Sequence, residues 1–110
     1  MHYEIDILET SNGSSPFVEW LETLDIKNQA RINKRISRLK DGNFGDHCSV
    51  GEKLFELRFF FGSGYRVYYG LENSKIVILI SGGDKSSQKK DIRKAKELWN
   101  TYTQEEKQNA

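Results

Sequence analysis

The sequence predicts an α+β domain in which an N-terminal strand and a helical hairpin pack on an antiparallel sheet, followed by a C-terminal helix. Three observations predict it. Residues 15–40 repeat apolar side chains at helical spacing behind two capping residues, and residues 54–81 hold three β-branched and aromatic runs separated by short turns. Residues 92–102 then return to helical spacing. Strands and helices with one apolar side each must bury those sides against one another, so a layered domain follows.

Each element has its own signal. Tyr3, Ile5 and Ile7 alternate with Glu4, Asp6 and Leu8, the two-residue period of a strand, and Ser11-Asn12-Gly13-Ser14 breaks it. Ser15-Pro16 reads as an N-cap with proline at the first helical position, and Phe17, Trp20, Leu21 and Leu24 follow as one apolar stripe. Asp25 caps the next helix, which runs to about Lys40 and is stopped by Gly42. Ile32, Ile36 and Leu39 line one side of it, while Lys27, Arg31, Lys34, Arg35 and Arg38 form a basic back. Leu54 to Phe61, Tyr65 to Leu71 and Lys75 to Ser81 read as an antiparallel meander that Gly82-Gly83 closes. Ile92, Ala95, Trp99 and Tyr102 mark the last helix, which fades into a polar tail from about residue 103.

At 110 residues the chain has the length of one domain, 1–110, with residues 103–110 as its flexible tail. Charged residues reach 30%, but two Trp, five Tyr and six Phe supply enough apolar surface to argue against disorder. A net charge of +1 does not announce a nucleic-acid binder, so the case rests on where the charges lie. Cys48 is the only cysteine, which offers neither an internal disulfide nor a metal-ligand set. No stretch of about 18 apolar residues is present and the first ten residues lack the pattern of a secretory signal, so a cytoplasmic protein is expected.

A three-residue loop at Gly62-Ser63-Gly64 would pair Phe61 with Tyr65, Phe60 with Arg66 and Arg58 with Tyr68. Arg58, Phe60, Arg66 and Tyr68 would then share one open face, and Leu57, Phe59, Phe61, Val67 and Tyr69 the core. Guanidinium groups fork onto phosphates and aromatic rings stack on unpaired bases, so the open face suits single-stranded RNA. The same pattern also fits a solvated face whose arginines pair with Glu56.

Five blocks occur in order: Gly42-Asn43-Phe44-Gly45-Asp46, Val50-Gly51, Glu56-Leu57-Arg58, Gly62-Ser63-Gly64-Tyr65-Arg66-Val67-Tyr68 and Gly82-Gly83-Asp84-Lys85-Ser86-Ser87-Gln88. Together they resemble the phage-derived and chromosomal addiction-module-killer branch of the RelE/ParE toxins, with HigB-like the nearest label, over nearly the whole chain. The resemblance implies a RelE-like fold and the toxin of a type II toxin–antitoxin system, a ribosome-dependent endoribonuclease that cleaves mRNA without a metal or cofactor. It implies a helix-turn-helix antitoxin, the ribosome and mRNA as partners, with operator DNA reached only through the antitoxin. Arg66 matches the arginine that holds the scissile phosphate, Lys85 the basic position after the last strand, and Arg58 the arginine of the Leu-Arg pair. The chain departs from the RelE pattern at Leu54 and Glu56, where lysines are expected, and near Asp91, where a tyrosine is expected.

These matches make Arg58, Arg66 and Lys85 the candidate catalytic residues. His47, Lys53 and Tyr68 are candidates for the general acid or base, His47 because a loop imidazole suits proton transfer near neutrality. Phe60, Gln88, Lys89, Lys90 and Arg93 are candidates for contacting RNA. Two alternatives stay open: a ParE-like inhibitor of DNA gyrase, and a degenerate toxin that only binds antitoxin and nucleic acid.

Overall fold

The computed structural model describes residues 2–109. Its elements are β1 (Glu4–Ile7), α1 (Pro16–Glu22), α2 (Ile26–Leu39), β2 (His47–Gly51), β3 (Leu54–Arg58), β4 (Arg66–Glu72), β5 (Ile76–Gly83), a 3-10 turn (Lys85–Ser87) and α3 (Gln88–Asn109). The caps form as their residue types require: Ser15 accepts from the Val18 amide and Asp25 from the Asn28 amide, each satisfying a helix N–H that has no partner within its own helix. α3 continues through residues 103–109, past the point where composition suggests a tail; residue 110 lies outside the described residues.

The sheet has five strands in the order β1-β5-β4-β3-β2. It is mixed, because β1 joins β5 in parallel, whereas the other three pairings are antiparallel. β2 is a strand where the sequence predicts a loop; His-Cys-Ser-Val-Gly has no strong alternation, and pairing with β3 orders it.

Helices cover both faces of the sheet. On one, Phe17 and Leu21 of α1 and Ile32, Ile36 and Leu39 of α2 bury against Leu57, Phe59, Val67, Tyr69, Val77 and Leu79. On the other, Ala95 and Trp99 of α3 bury with Leu8, Leu54, Tyr68, Ile78 and Ile80. The expected open face is therefore half covered. Each fully buried aliphatic or aromatic side chain contributes about 1.5–3 kcal/mol, so the apolar stripe does most to hold α3 on the sheet. Each tryptophan ring lies against a strand glycine: a Cβ on Gly70 would come within 2.4 Å of Trp99, and one on Gly82 within 2.2 Å of Trp20.

The β3–β4 register differs from the expected one by two residues. Arg58 pairs with Arg66, Leu57 with Val67 and Glu56 with Tyr68, because the connection spans residues 59–65 and not three residues alone. An even shift leaves every side chain on its assigned face, so the division between core and arginine face survives. Between β4 and β5 a bulge inserts Ile80, since Tyr68 pairs with Ser81 but Tyr69 with Leu79. The same register brings Gly83 opposite Arg66.

Candidate active site

Arg58 and Arg66 are direct partners across β3 and β4 and project from the face that α3 covers. Like charges placed so repel, and a carboxylate beneath them relieves the repulsion. Glu56, two residues before Arg58 on the same face, is fully buried. Its Oε1 accepts from Arg58 Nε at 3.1 Å and lies 3.9 Å from Arg66 Nε. Tyr68 donates its hydroxyl to Oε2 at 3.0 Å, and Gln88 Nε2 donates to both oxygens, at 3.2 and 2.9 Å. Burial alone would raise the Glu56 pKa; hydrogen bonds from Gln88, Arg58 and Tyr68 and the charge of Arg66 outweigh it and hold the carboxyl below its ordinary value.

The two arginines differ in what they leave free. Arg58 is 39% exposed, and one of its terminal nitrogens lies 3.0 Å from the Cys48 sulfur. Arg66 is only 12% exposed, and its buried Nε has no hydrogen-bond partner among the described residues. Lys85 comes beside it through the loop: a Cβ on Gly64, which sits at φ +76°, would be 3.4 Å from Lys85 Cβ and 3.9 Å from a terminal nitrogen of Arg66. The turn that carries Lys85 is fixed by Asp84, whose carboxylate accepts from Ser63 Oγ at 2.8 Å and from the Ser86 amide at 2.9 Å.

One carboxylate joins this group that the sequence marked only as the place of a missing tyrosine. A Cβ on Gly83 would fall 1.8 Å from Asp91 Oδ2, so the Asp91 carboxylate occupies the space beside Arg66 that Gly83 leaves empty. Neighbouring Cβ positions on paired strands are about 5 Å apart, which puts this carboxylate within about 7 Å of the Arg66 Cβ. Ser87 Oγ donates to it. Neither spacing nor composition reveals Asp91; only the bulge and the two glycines at the end of β5 bring it over the sheet.

Other expected residues stand apart. His47 lies on β2 opposite Leu57, with its ring against Phe44 and Phe55 on the α1–α2 face, so the sheet separates it from the arginines. Lys53 occupies the β2–β3 turn, five residues from Arg58 and about 16 Å away along the strand. Tyr68 is fully buried, and burial, followed by the Glu56 charge, raises its pKa, so its hydroxyl serves Glu56 and meets no solvent. Gln88 likewise turns inward to Glu56. Phe60 is 85% exposed beside Arg58, in the connecting loop and not on the strand as expected. Lys89, Lys90 and Arg93 are exposed and share a shallow recess with Lys85 at the start of α3. Arg35, expected in the solvated basic back of α2, instead donates to the carbonyls of Arg58, Phe44 and Asp46.

A recess of about 580 Å³ lies between the turn at Thr10 to Ser14, α1 and α3, with Asp91 in its lining. No group of three or more His, Cys, Asp or Glu side chains that would hold a metal ion gathers among the described residues. Among the same residues no helix is long and apolar enough to cross a membrane.

A profile of the phage-derived protein Gp49-like family matches residues 19–100. A protein of Haemophilus influenzae Rd, described as uncharacterized, is 53% identical over 83 residues, which cover 74% of this chain and 84% of that one. In three dimensions the chain is similar to an arginine-to-alanine double mutant of Escherichia coli toxin RelE in the free state, with a TM-score of 0.62, 15% identity, and coverage of 86% of this chain and 94% of that one. The expected α+β architecture with its C-terminal helix is thus a RelE-like fold, and the chain belongs to the phage-derived Gp49-like family of RelE-fold proteins.

Proposed function

We propose that this protein is the toxin of a toxin–antitoxin pair and that it cleaves messenger RNA on the ribosome. Family membership and the RelE-like fold support the toxin reading, and with it an antitoxin as partner. The observation that carries the nuclease reading is the grouping of Arg66, Lys85 and Asp91 around Gly64 and Gly83 at one end of β4 and β5. A phosphate there meets two cations, and its ribose neighbour meets a carboxylate.

The reaction is a transesterification. The ribose 2′-oxygen forms a bond to the adjacent phosphorus as its proton passes to Asp91, and the bond to the 5′-oxygen breaks with a proton supplied to that oxygen by Lys85 or water. The products are a 2′,3′-cyclic phosphate and a 5′-hydroxyl. Negative charge grows on the phosphoryl oxygens during attack, so Arg66 and Lys85 act by preorganised electrostatic stabilisation, and Arg58 orients the backbone. A carboxylate is a weak base, and holding the 2′-oxygen in line with its phosphorus supplies much of the deficit. Phe60 offers a stacking surface to an unpaired base, and Lys89, Lys90 and Arg93 contact phosphates without reading sequence.

The test is cleavage of a defined message on programmed ribosomes, with mapping of RNA 5′ ends. Arg66→Ala should slow cleavage on the order of 10²-fold while leaving the fold intact. Near-wild-type cleavage by a folded Arg66→Ala protein rejects the role, and intact transcripts together with DNA damage would move the assignment to gyrase.

A further inference from the structure

We infer that Glu56 is the positioning residue of this site: buried and out of reach of any substrate, it sets the two arginines and the first turn of α3 against one another. The inference rests on the proposed reading of the Arg66 site and adds to it the device that organises that site.

Glu56 is costly to bury. Glu56 lies on a strand face whose neighbour at i−2 is the core residue Leu54, and both are shielded completely from solvent. A carboxylate taken out of water is among the most expensive groups a fold can bury, and an apolar side chain would serve the core as well or better. Helix α3 does not require the charge either, since Ala95 and Trp99 already anchor it.

Donors from three elements converge on the carboxylate. Arg58 comes from β3, Tyr68 from β4 and Gln88 from α3, all as donors, while Arg66 of β4 stands at 3.9 Å. An ionised carboxylate accepts in every direction, which no neutral side chain of this size does. With one negative charge behind them, Arg58 and Arg66 remain on directly paired positions despite their mutual repulsion. The bond to Gln88 fixes the rotation of the first turn of α3, and Asp91, three residues on, lies on the same side of that helix. Glu56 therefore aligns both the cations and the carboxylate that the reaction uses, without touching the RNA.

Glu56→Gln tests this. The side chain keeps its shape, but one acceptor oxygen becomes an NH2 that faces the donors of Arg58, Tyr68 and Gln88. On programmed ribosomes kcat should fall about 100-fold with KM almost unchanged, the signature of misplaced groups. A core variant such as Ile36→Val, with both proteins assayed well below their Tm values so that each is fully folded, should keep its kcat. Equal kcat values for Glu56→Gln and that control would overturn the inference. A second readout does not depend on cleavage: the arginine Nε–Hε resonances of the folded proteins, followed while inorganic phosphate is added. In the wild type Arg58 Hε should be protected from exchange and Arg66 Hε should shift with phosphate; in Glu56→Gln both effects should be lost. If the wild type cleaves no RNA yet shows this difference, the nuclease reading falls and the positioning role stands. Identical spectra in both proteins would sink the positioning role whatever the cleavage result.

Discussion

Arg35→Met removes a guanidinium and keeps an unbranched chain of similar reach, and its effect can be worked out from the structure. Arg35 donates to the carbonyls of Arg58, Phe44 and Asp46, and its guanidinium carbon lies 4.7 Å from the Phe59 ring centroid. Desolvation by burial, stronger than the opposing charge of Asp46, lowers the Arg35 pKa, as expected of a cation partly withdrawn from water. A hydrogen bond from a charged group contributes about 1.5–3 kcal/mol; with three such bonds, half-buried carbonyls that water partly reclaims, and Met retaining the contact with Phe59, the net loss should be about 3 kcal/mol. For a domain of this size, with a urea m-value near 1.5 kcal/mol/M, the midpoint should fall by roughly 2 M. Lys34→Met, on the exposed side of the same helix, is the control and should stay within about 0.5 kcal/mol. A loss of less than about 1 kcal/mol for Arg35→Met in urea melts would refute the account, because it would make Arg35 energetically equivalent to a solvated surface residue.

Three further outcomes are expected. Gly82→Ala puts a methyl group 2.2 Å from the Trp20 ring, so overpacking should cost about 1–3 kcal/mol by thermal melting, and Trp20→Leu in the same chain should recover part of it. The folded-state pKa of Glu56 is depressed, so its carboxylate contributes stability that is present above the unfolded carboxyl pKa, near 4.3, and lost as pH falls through the folded value. Urea melts should accordingly show wild type and Glu56→Gln converging below about pH 4, and a gap that stays constant from pH 6 to pH 3 would contradict this. His47→Ala should leave the cleavage rate and its pH profile within about twofold of wild type, since the sheet stands between His47 and the arginines; a loss of the order expected for a general base, about 10²-fold, would contradict the geometry.

Local signals made most of the fold legible. Ser15-Pro16 and Asp25 begin α1 and α2 where caps should stand, and Ile32, Ile36 and Leu39 are buried as their spacing demands. The sequence failed to show what depends on distant partners. β1 reads as a strand, but its parallel pairing with β5 is a property of residues some 70 positions apart. β2 has weak propensity and becomes a strand only because β3 offers an edge. The Gly62-Ser63-Gly64 loop predicts an arginine register two residues from the observed one, because the connection spans residues 59–65, and it still predicts the right faces because side chains alternate with period two.

The site divides along the same line. Arg58, Arg66 and Lys85 could be named from motif blocks, since backbone alternation and a short loop bring them together. Charge pattern did not show that Arg35 turns inward, and strand alternation and the motif blocks did not show it for Tyr68 and Gln88, because a polar side chain can turn to water or to a buried acceptor with the same local sequence. The acceptor decides which. Once Glu56 lies at the centre of β3, Tyr68 and Gln88 have a partner worth more than solvent, and the alternative of a solvated face of arginines paired with Glu56 becomes half true in an instructive way. Arg58 is paired, yet keeps more than a third of its surface; Arg66 is drawn toward the same carboxylate without a hydrogen bond, leaving its Nε unsatisfied. The 3.9 Å gap leaves a buried donor unmet, at a cost of about 1–3 kcal/mol. That cost falls on the inner nitrogen, and the terminal nitrogens, one of them beside Gly64, are the part of Arg66 left to meet an anion.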